Sequence, residues 1–394
     1  MPKAQLQYLT DELNKLREQK LYQKLRVLET EQLPVSRFDG REVINLSSNN
    51  YLGLTTHPKL RERALEAIRK FGVGSGAVRT IAGTMSIHLE LEEKIARFKH
   101  VEGSVVFQSG FTANAGTVQA ILGREDVIIS DQLNHASLID GCRLSRAEIK
   151  IFPHKDLEAC ESILKEIAGR NCRKLLATDG VFSMDGDIAP LPQLVELAEK
   201  YGCIMMIDDA HASGVLGRNG RGTVDHYKLH GRVDIQVGTL SKAIGALGGY
   251  VCSTRDAIEF LYHRARPFLF STSHPPSVAA TCLAAFEVLE EEPQLIDQLW
   301  ASTRFFKEGL KKLGFNTGMS ETPITPVIVG EAALAHQFSR ELFAAGVFAQ
   351  GIGFPTVPEG KARIRTIVTA THTQEELTRA LDILESVGKK LKII

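Results

Sequence analysis

Leu175-Leu-Ala-Thr178, then Leu194, Leu197, Ala198 and Tyr201, then Gly202, then Ile204-Met-Met-Ile207 is the passage that decides the fold. The two outer runs are short, apolar and strand-like. The four residues between them recur at spacings of three and four and share one helical face, and Gly202 stands where a helix stops. That pattern is a βαβ unit. Val233-Asp-Ile-Gln-Val237 reads as a further buried strand, so the alternation is sustained from Lys174 to Thr239. Repetition of this kind predicts an α/β fold with a mainly parallel sheet, helices on both of its faces, and ligands beyond the carboxyl ends of the strands.

Outward from this passage the character changes twice. Leu6, Leu9, Leu13 and Leu16 fall on one face of an N-terminal helix that should end before Pro34, and that face must rest on its own body or on a partner. From about Pro275 longer helices with a few strands take over, closing with Thr373-x-x-Glu376, a capping box ahead of Leu377, Leu381 and Leu384. The expected division is a helical arm over 1–45, a large domain over 46–275 and a smaller α+β domain over 276–394.

Composition excludes several functions. Forty-seven basic residues against 47 acidic ones leave no global field for nucleic acid or an anionic membrane, so any anion must be held locally. The six cysteines include no C-x-x-C pair, which argues against a zinc ribbon, a thioredoxin motif and a disulfide framework, and no metal site is expected. A reducing cytoplasm is the expected compartment. The N-terminus alternates charges through Lys3, Asp11, Glu12 and Lys15, unlike a signal or transit peptide, and the long uncharged stretch from Pro267 to Phe286 is broken by three prolines. Phosphate-binding G-x-x-x-x-G-K-[ST], H-E-x-x-H and G-x-S-x-G motifs are all missing. Gly72, Gly74 and Gly76 resemble half a dinucleotide fingerprint, but they follow a helical segment, Leu60 to Phe71, where a turn is the simpler reading.

Four clusters fall at or just after the ends of apolar runs. Asp208-Asp209-Ala-His211 places carboxylates and an imidazole at the rim of the sheet, where Asp208 could meet a protonated ring nitrogen or could simply cap a turn. Gly238-Thr239-Leu-Ser241-Lys242 offers hydroxyls for a phosphate and a lysine that is either a solvated surface group or, if partly desolvated, a nucleophile toward an aldehyde. Gln108-Ser-Gly110-Phe111-Thr-Ala-Asn114 is a run-to-helix junction whose N–H groups suit a phosphate or an ordinary cap. Leu133-Asn134-His135-Ala136-Ser137 brings a flat imidazole that could stack or serve structure. Together the four supply the protein half of a pyridoxal-phosphate site.

The residues resemble the α-oxoamine synthases, fold-type I pyridoxal-phosphate enzymes akin to aspartate aminotransferase that condense a small amino acid with an acyl-CoA. The resemblance runs from Asn45-Leu-Ser-Ser-Asn-Asn-Tyr-Leu-Gly53 through Asn134-His-Ala-Ser137, Thr178-Asp-Gly-Val-Phe-Ser-Met-Asp-Gly186, Asp208-Asp-Ala-His211 and Thr239-Leu-Ser-Lys242 to Ala362-Arg-Ile-Arg365. It implies that Lys242 is the Schiff-base lysine and the base for the α-proton, that Asp208 holds the pyridine nitrogen protonated, that His211 meets the ring hydroxyl and that His135 stacks on the ring. It further implies phosphate contacts from Gly110, Phe111 and Thr239, a place for Ser183 beside the ring hydroxyl and substrate, and Asn49 and Arg365 on the substrate carboxylate, for which a guanidinium fork suits better than an ammonium. Thr272 and Ser273 match residues that reach the neighbouring subunit's phosphate, which implies a homodimer with shared sites.

Two branches of the family bear on the substrates. One, the glycine C-acetyltransferases of threonine degradation, joins glycine to acetyl-CoA to give 2-amino-3-ketobutyrate; the other joins alanine to pimeloyl-CoA, with loss of CO2, to give 8-amino-7-oxononanoate for biotin. Gly231-Arg-Val-Asp-Ile235, Asn134 to Arg143, Leu299-Trp-Ala301 and Gly360 to Thr366 resemble the first branch, while Phe270 to Pro276 and Gly351 to Pro358 also resemble the second. The expectation leans to glycine and acetyl-CoA, with the biotin-branch reaction or an enzyme of both activities as the alternative. A cofactor-binding scaffold without turnover is the non-enzyme alternative, and retention of Lys242 and Asp208 speaks against it. Basic residues Lys20, Lys24 and Arg26 of the arm read as a solvated helix face or as part of an entrance for CoA.

Overall fold

The computed structural model describes residues 4–19, 21–22, 24–354 and 356–394. The chain packs as two units, one formed by 49–183 with 187–299, the other by 1–48, 184–186 and 300–394.

The larger unit is built on seven strands, β1 (Gly103–Phe107), β2 (Val127–Asp131), β3 (Glu148–Phe152), β4 (Lys174–Asp179), β5 (Ile204–Asp208), β6 (Ile235–Thr239) and β7 (Gly249–Ser253), in the order β1-β7-β6-β5-β4-β2-β3. β7 runs antiparallel to both of its neighbours, and the others pair in parallel. Every residue of β2, β4, β6 and β7 is buried, the signature of a sheet covered on both faces. One covering layer packs Val118, Leu138 and Phe268 against alternate strand residues such as Ile128, Leu175 and Met206; the other packs Leu164, Leu194 and Val195 against Ile129, Leu176 and Met205. The alternation of Met205 and Met206 between the two clusters is the pleat itself.

Five helices of the larger unit bear on the site or on where that unit ends in the chain: α1 (Pro58–Phe71), α2 (Ser86–Lys99), α3 (Gly110–Ile121), α4 (Ala136–Ser145) and α5 (Pro276–Glu291). Gly72 closes α1 with φ of 82°, a conformation that favours glycine, so the Gly72–Gly76 stretch is a turn after a helix. The change of unit falls at 299/300 and not at 275/276, because α5 packs along α1 and α2, with Phe286 edge-on to Phe98 at 5.1 Å and Glu287 paired to Lys59 at 2.8 Å. The shift to longer helices in the sequence therefore does not mark a boundary.

The smaller unit carries two three-stranded sheets. In one, Val35–Phe38 and Arg41–Asn45 form a hairpin joined in parallel by Val347–Phe348; in the other, Ala362–Ile367 lies antiparallel between Ile324–Gly330 and Gln350–Ile352. Thr373 caps the helix Gln374–Lys390 with the reciprocal Glu376 bond that the sequence predicts. The N-terminal helix spans Gln7–Glu18, and its stripe stays open to solvent in the single chain, with Leu9, Leu13 and Leu16 exposed by 45%, 42% and 39%. Lys20 lies outside the described residues. Lys24 and Arg26 follow the helix and are not part of it; Arg26 pairs with Asp39 at 3.0 Å and stacks on Phe343. Among the described residues no helix is long and apolar enough to cross a membrane.

Candidate active site

A cleft of about 170 Å³ opens in the larger unit at the carboxyl ends of β4, β5 and β6 and the starts of α3 and α4. Seven residues to which the family resemblance gives a role line it, Gly110, Phe111, His135, Asp208, His211, Thr239 and Lys242, with Ser241 beside them.

Asp208 ends β5 and is 5% exposed, so its carboxyl group needs donors in place of water. It has two. Asn114 Nδ2 donates to Oδ2 at 2.6 Å, and the Ala210 N–H donates to Oδ1 at 2.9 Å. Asn114, one turn into α3 and fully buried, also donates to Ser137 Oγ at 2.9 Å, while its own Oδ1 has no partner among the described residues. Three residues on, His211 Nδ1 sits 2.8 Å from the hydroxyl of Tyr51, which is itself fully buried. The imidazole is thereby fixed in orientation at the cleft wall.

A second carboxylate supports this turn from behind. Asp209 pairs with Lys99, from the last turn of α2, at 3.0 Å, and neither side chain is exposed. Lys99 Nζ also donates to the Arg221 carbonyl at 2.6 Å, and the Thr223 N–H reaches Asp209 Oδ2 at 3.0 Å. Burial works against the ammonium charge, but Tyr250 and Asp209 beside it hold Lys99 above its ordinary range. Glycines make room for the pair: a Cβ at Gly222 would stand 1.9 Å from Asp209 Oδ2, and one at Gly180 would stand 2.5 Å from Oδ1.

At the opposite wall His135 caps α4, its Nδ1 accepting the Ser137 N–H at 3.2 Å, and its backbone N–H donates to Asp179 Oδ1 at 3.1 Å. Ser109 caps α3 by accepting the Thr112 N–H at 3.1 Å, which leaves the N–H groups of Gly110 and Phe111 as helix-start donors in the cleft wall. Thr239 Oγ1 lies 2.8 Å from Ser241 Oγ beside them. The cleft thus offers N–H groups and hydroxyls for a phosphate, a carboxylate for a ring nitrogen, an oriented imidazole for a ring hydroxyl, a flat imidazole and an amine. That donor set, with the unpartnered Asn114 Oδ1 at its back, fits a phosphorylated pyridine aldehyde.

The remaining candidates lie elsewhere. Ser183 is buried in the larger unit and is not among the residues lining the cleft. Thr272 is exposed, whereas Ser273 is 4% exposed and donates its hydroxyl to the Gly83 carbonyl at 2.6 Å, so that proton is directed at backbone. Asn49 is the first residue of the larger unit. Arg365 belongs to the smaller unit, opposite Gln350 in register, where it lines a cleft of about 290 Å³ with Phe38 and Phe348. Its neighbour Arg363 pairs with Asp185 at 2.6 Å. Sequence reasoning assigns no role to Asn114, Tyr51 or Asp179, although each stands in a stretch it singles out: Gln108–Asn114, Asn45–Gly53 and Thr178–Gly186.

The chain matches the aminotransferase class I and II family over residues 41–384. It is 61% identical to the 8-amino-7-oxononanoate synthase of Symbiobacterium thermophilum over 98% of this chain and 99% of that one. With the enzyme of the same name from Thermoanaerobacter pseudethanolicus it shares 60% identity over 99% and 98%. Among solved structures, a serine palmitoyltransferase variant from S. paucimobilis with bound pyridoxal phosphate and myriocin matches 99% of both chains with a TM-score of 0.94 at 31% identity.

Proposed function

Because the chain belongs to the α-oxoamine synthases, pyridoxal-phosphate-dependent acyltransferases within the class I and II aminotransferase family, we propose that it condenses L-alanine with pimeloyl-CoA, releasing CoA and CO2, to give 8-amino-7-oxononanoate. The observation that carries this reading is identity of 61% and 60%, end to end, with two proteins named for that product. It replaces the lean toward glycine and acetyl-CoA, which rested on short stretches such as Gly231 to Ile235 and is outweighed by identity over the whole chain. Biotin synthesis is the corresponding role, and a homodimer with shared sites the corresponding assembly.

Pyridoxal phosphate, when bound, supplies an electron sink for a carbanion at the amino acid's α-carbon. The chain's own residues do the rest. Gly110 and Phe111 N–H groups with Thr239 would hold the phosphate, and His135 would lie flat on the ring. Asp208, fixed by Asn114 and Ala210, would keep a proton on the ring nitrogen, and His211, fixed by Tyr51, would meet the ring hydroxyl. Lys242 would hold the aldehyde carbon and take the proton from alanine Cα. Asn49 and Arg365 would hold the alanine carboxylate, and Ser183 is assigned beside the ring hydroxyl and substrate.

The test is release of free thiol, followed with alanine plus pimeloyl-CoA and in parallel with glycine plus acetyl-CoA. Release with the first pair and little with the second is the expected result. Release with the second pair alone would return the protein to the glycine branch, and release with neither would overturn the acyl-transfer reading.

A further inference from the structure

Asp179 and Asp208 are register partners at the carboxyl ends of β4 and β5. Neighbouring parallel strands lie about 4.8 Å apart and side chains in register leave the sheet on the same face, so two carboxyl groups stand side by side. Both are buried, at 3% and 5% exposure, and both line the same cleft. Like charges in this arrangement repel, and two ionised carboxylates that close inside a protein share a proton when no cation separates them.

Their donors are unequal. Among the described residues Asp208 receives an N–H on each oxygen, from Asn114 and Ala210, whereas Asp179 receives one, from His135, on Oδ1. The other groups facing Asp179 are the Lys242 ammonium, which favours its charge, and Asp131, which opposes it. Burial first, and Asp208 next, push the Asp179 carboxyl well above the ordinary carboxylate range.

We infer that the cofactor-free cleft holds one proton between Asp179 and Asp208, carried by Asp179 as a neutral carboxylic acid. The pair then presents a single negative charge, at Asp208, and a hydroxyl donor, at Asp179 Oδ2. A cationic ring nitrogen would meet one carboxylate and not two, which gives the cleft a unique orientation for a flat heterocycle. Asp179 is in this sense a positioning residue. The inference concerns the empty cleft and does not depend on which acyl donor the enzyme uses, so either reading can fail alone.

Infrared difference spectroscopy on the full-length, cofactor-free protein tests it. Wild type minus Asp179→Asn at pH 7 is expected to show loss of one protonated-carboxyl stretch; loss of carboxylate bands in its place would overturn the proposal. Should that variant fail to fold, the protonated band is titrated in wild type and in Asp208→Asn. Sharing requires the midpoint to fall by at least tenfold in proton affinity once the neighbouring charge is gone. An unchanged midpoint, or no protonated band in wild type at pH 7, refutes it.

Discussion

Asn114 Nδ2 stands 2.6 Å from Asp208 Oδ2, and no solvent reaches the amide. A hydrogen bond to a charged group is worth about 1.5–3 kcal/mol, and this one sets the direction in which Asp208 faces the cleft. Asn114→Leu is therefore expected to weaken pyridoxal phosphate binding by roughly ten- to a hundredfold while leaving the fold intact. Absorbance titration of the cofactor into stripped protein checks it; unchanged affinity would remove Asn114 from the cofactor's support.

Lys99→Met leaves Asp209 buried without its cation, and breaking a buried pair from one side costs about 3–5 kcal/mol. The expected readout is a large fall in the urea midpoint. Replacing both partners, Lys99→Met with Asp209→Leu, removes the uncompensated charge and should recover much of the loss, because well-packed apolar groups can substitute for a buried pair. A double variant no better than the single one would show that the pair's other bonds, to Arg221 and Thr223, dominate.

His154 bridges Asp131 at 3.0 Å through Nδ1 and Asp187 at 2.9 Å through Nε2. Burial lowers its proton affinity, but the two carboxylates outweigh that and push it up to about 9. A group raised in the folded state contributes stability that is complete below its unfolded value, near 6.5, and is lost as pH rises through about 9. Denaturation midpoints measured between pH 6 and 10 should fall across that window in wild type, and His154→Gln should flatten the slope.

The parallel part of the sheet is legible in the sequence because burial on both faces leaves continuous apolar runs, and β4 and β5 fall within a residue or two of Leu175–Thr178 and Ile204–Ile207. β7 is not legible in the same way. Gly249 opens it because a Cβ there would come 2.4 Å from the Ser109 carbonyl, a close approach between distant segments that no local pattern announces. The same holds within the site. Asp208, His211 and Lys242 follow strands and are found by position, whereas Asn114 and Tyr51 act through partners 94 and 160 residues away in the chain. Asp179 stands in the Thr178–Gly186 motif, but its part in the site lies in register with Asp208, which exists only once β4 and β5 pair.

The place of β7 in the sheet has a consequence for the protein's birth on the ribosome. Among the described residues β1 has one sheet neighbour, β7, and β7 begins at Gly249, roughly 140 residues after β1 ends at Phe107. Translation proceeds at about 5–20 residues per second, so the segment Gly103–Phe107 emerges several seconds before the strand that pairs with it. Until then Val105, Val106 and Phe107, all buried in the finished chain, are open to whatever binds unpaired strands, and slowed elongation between Phe107 and Gly249 would lengthen that exposure in direct proportion.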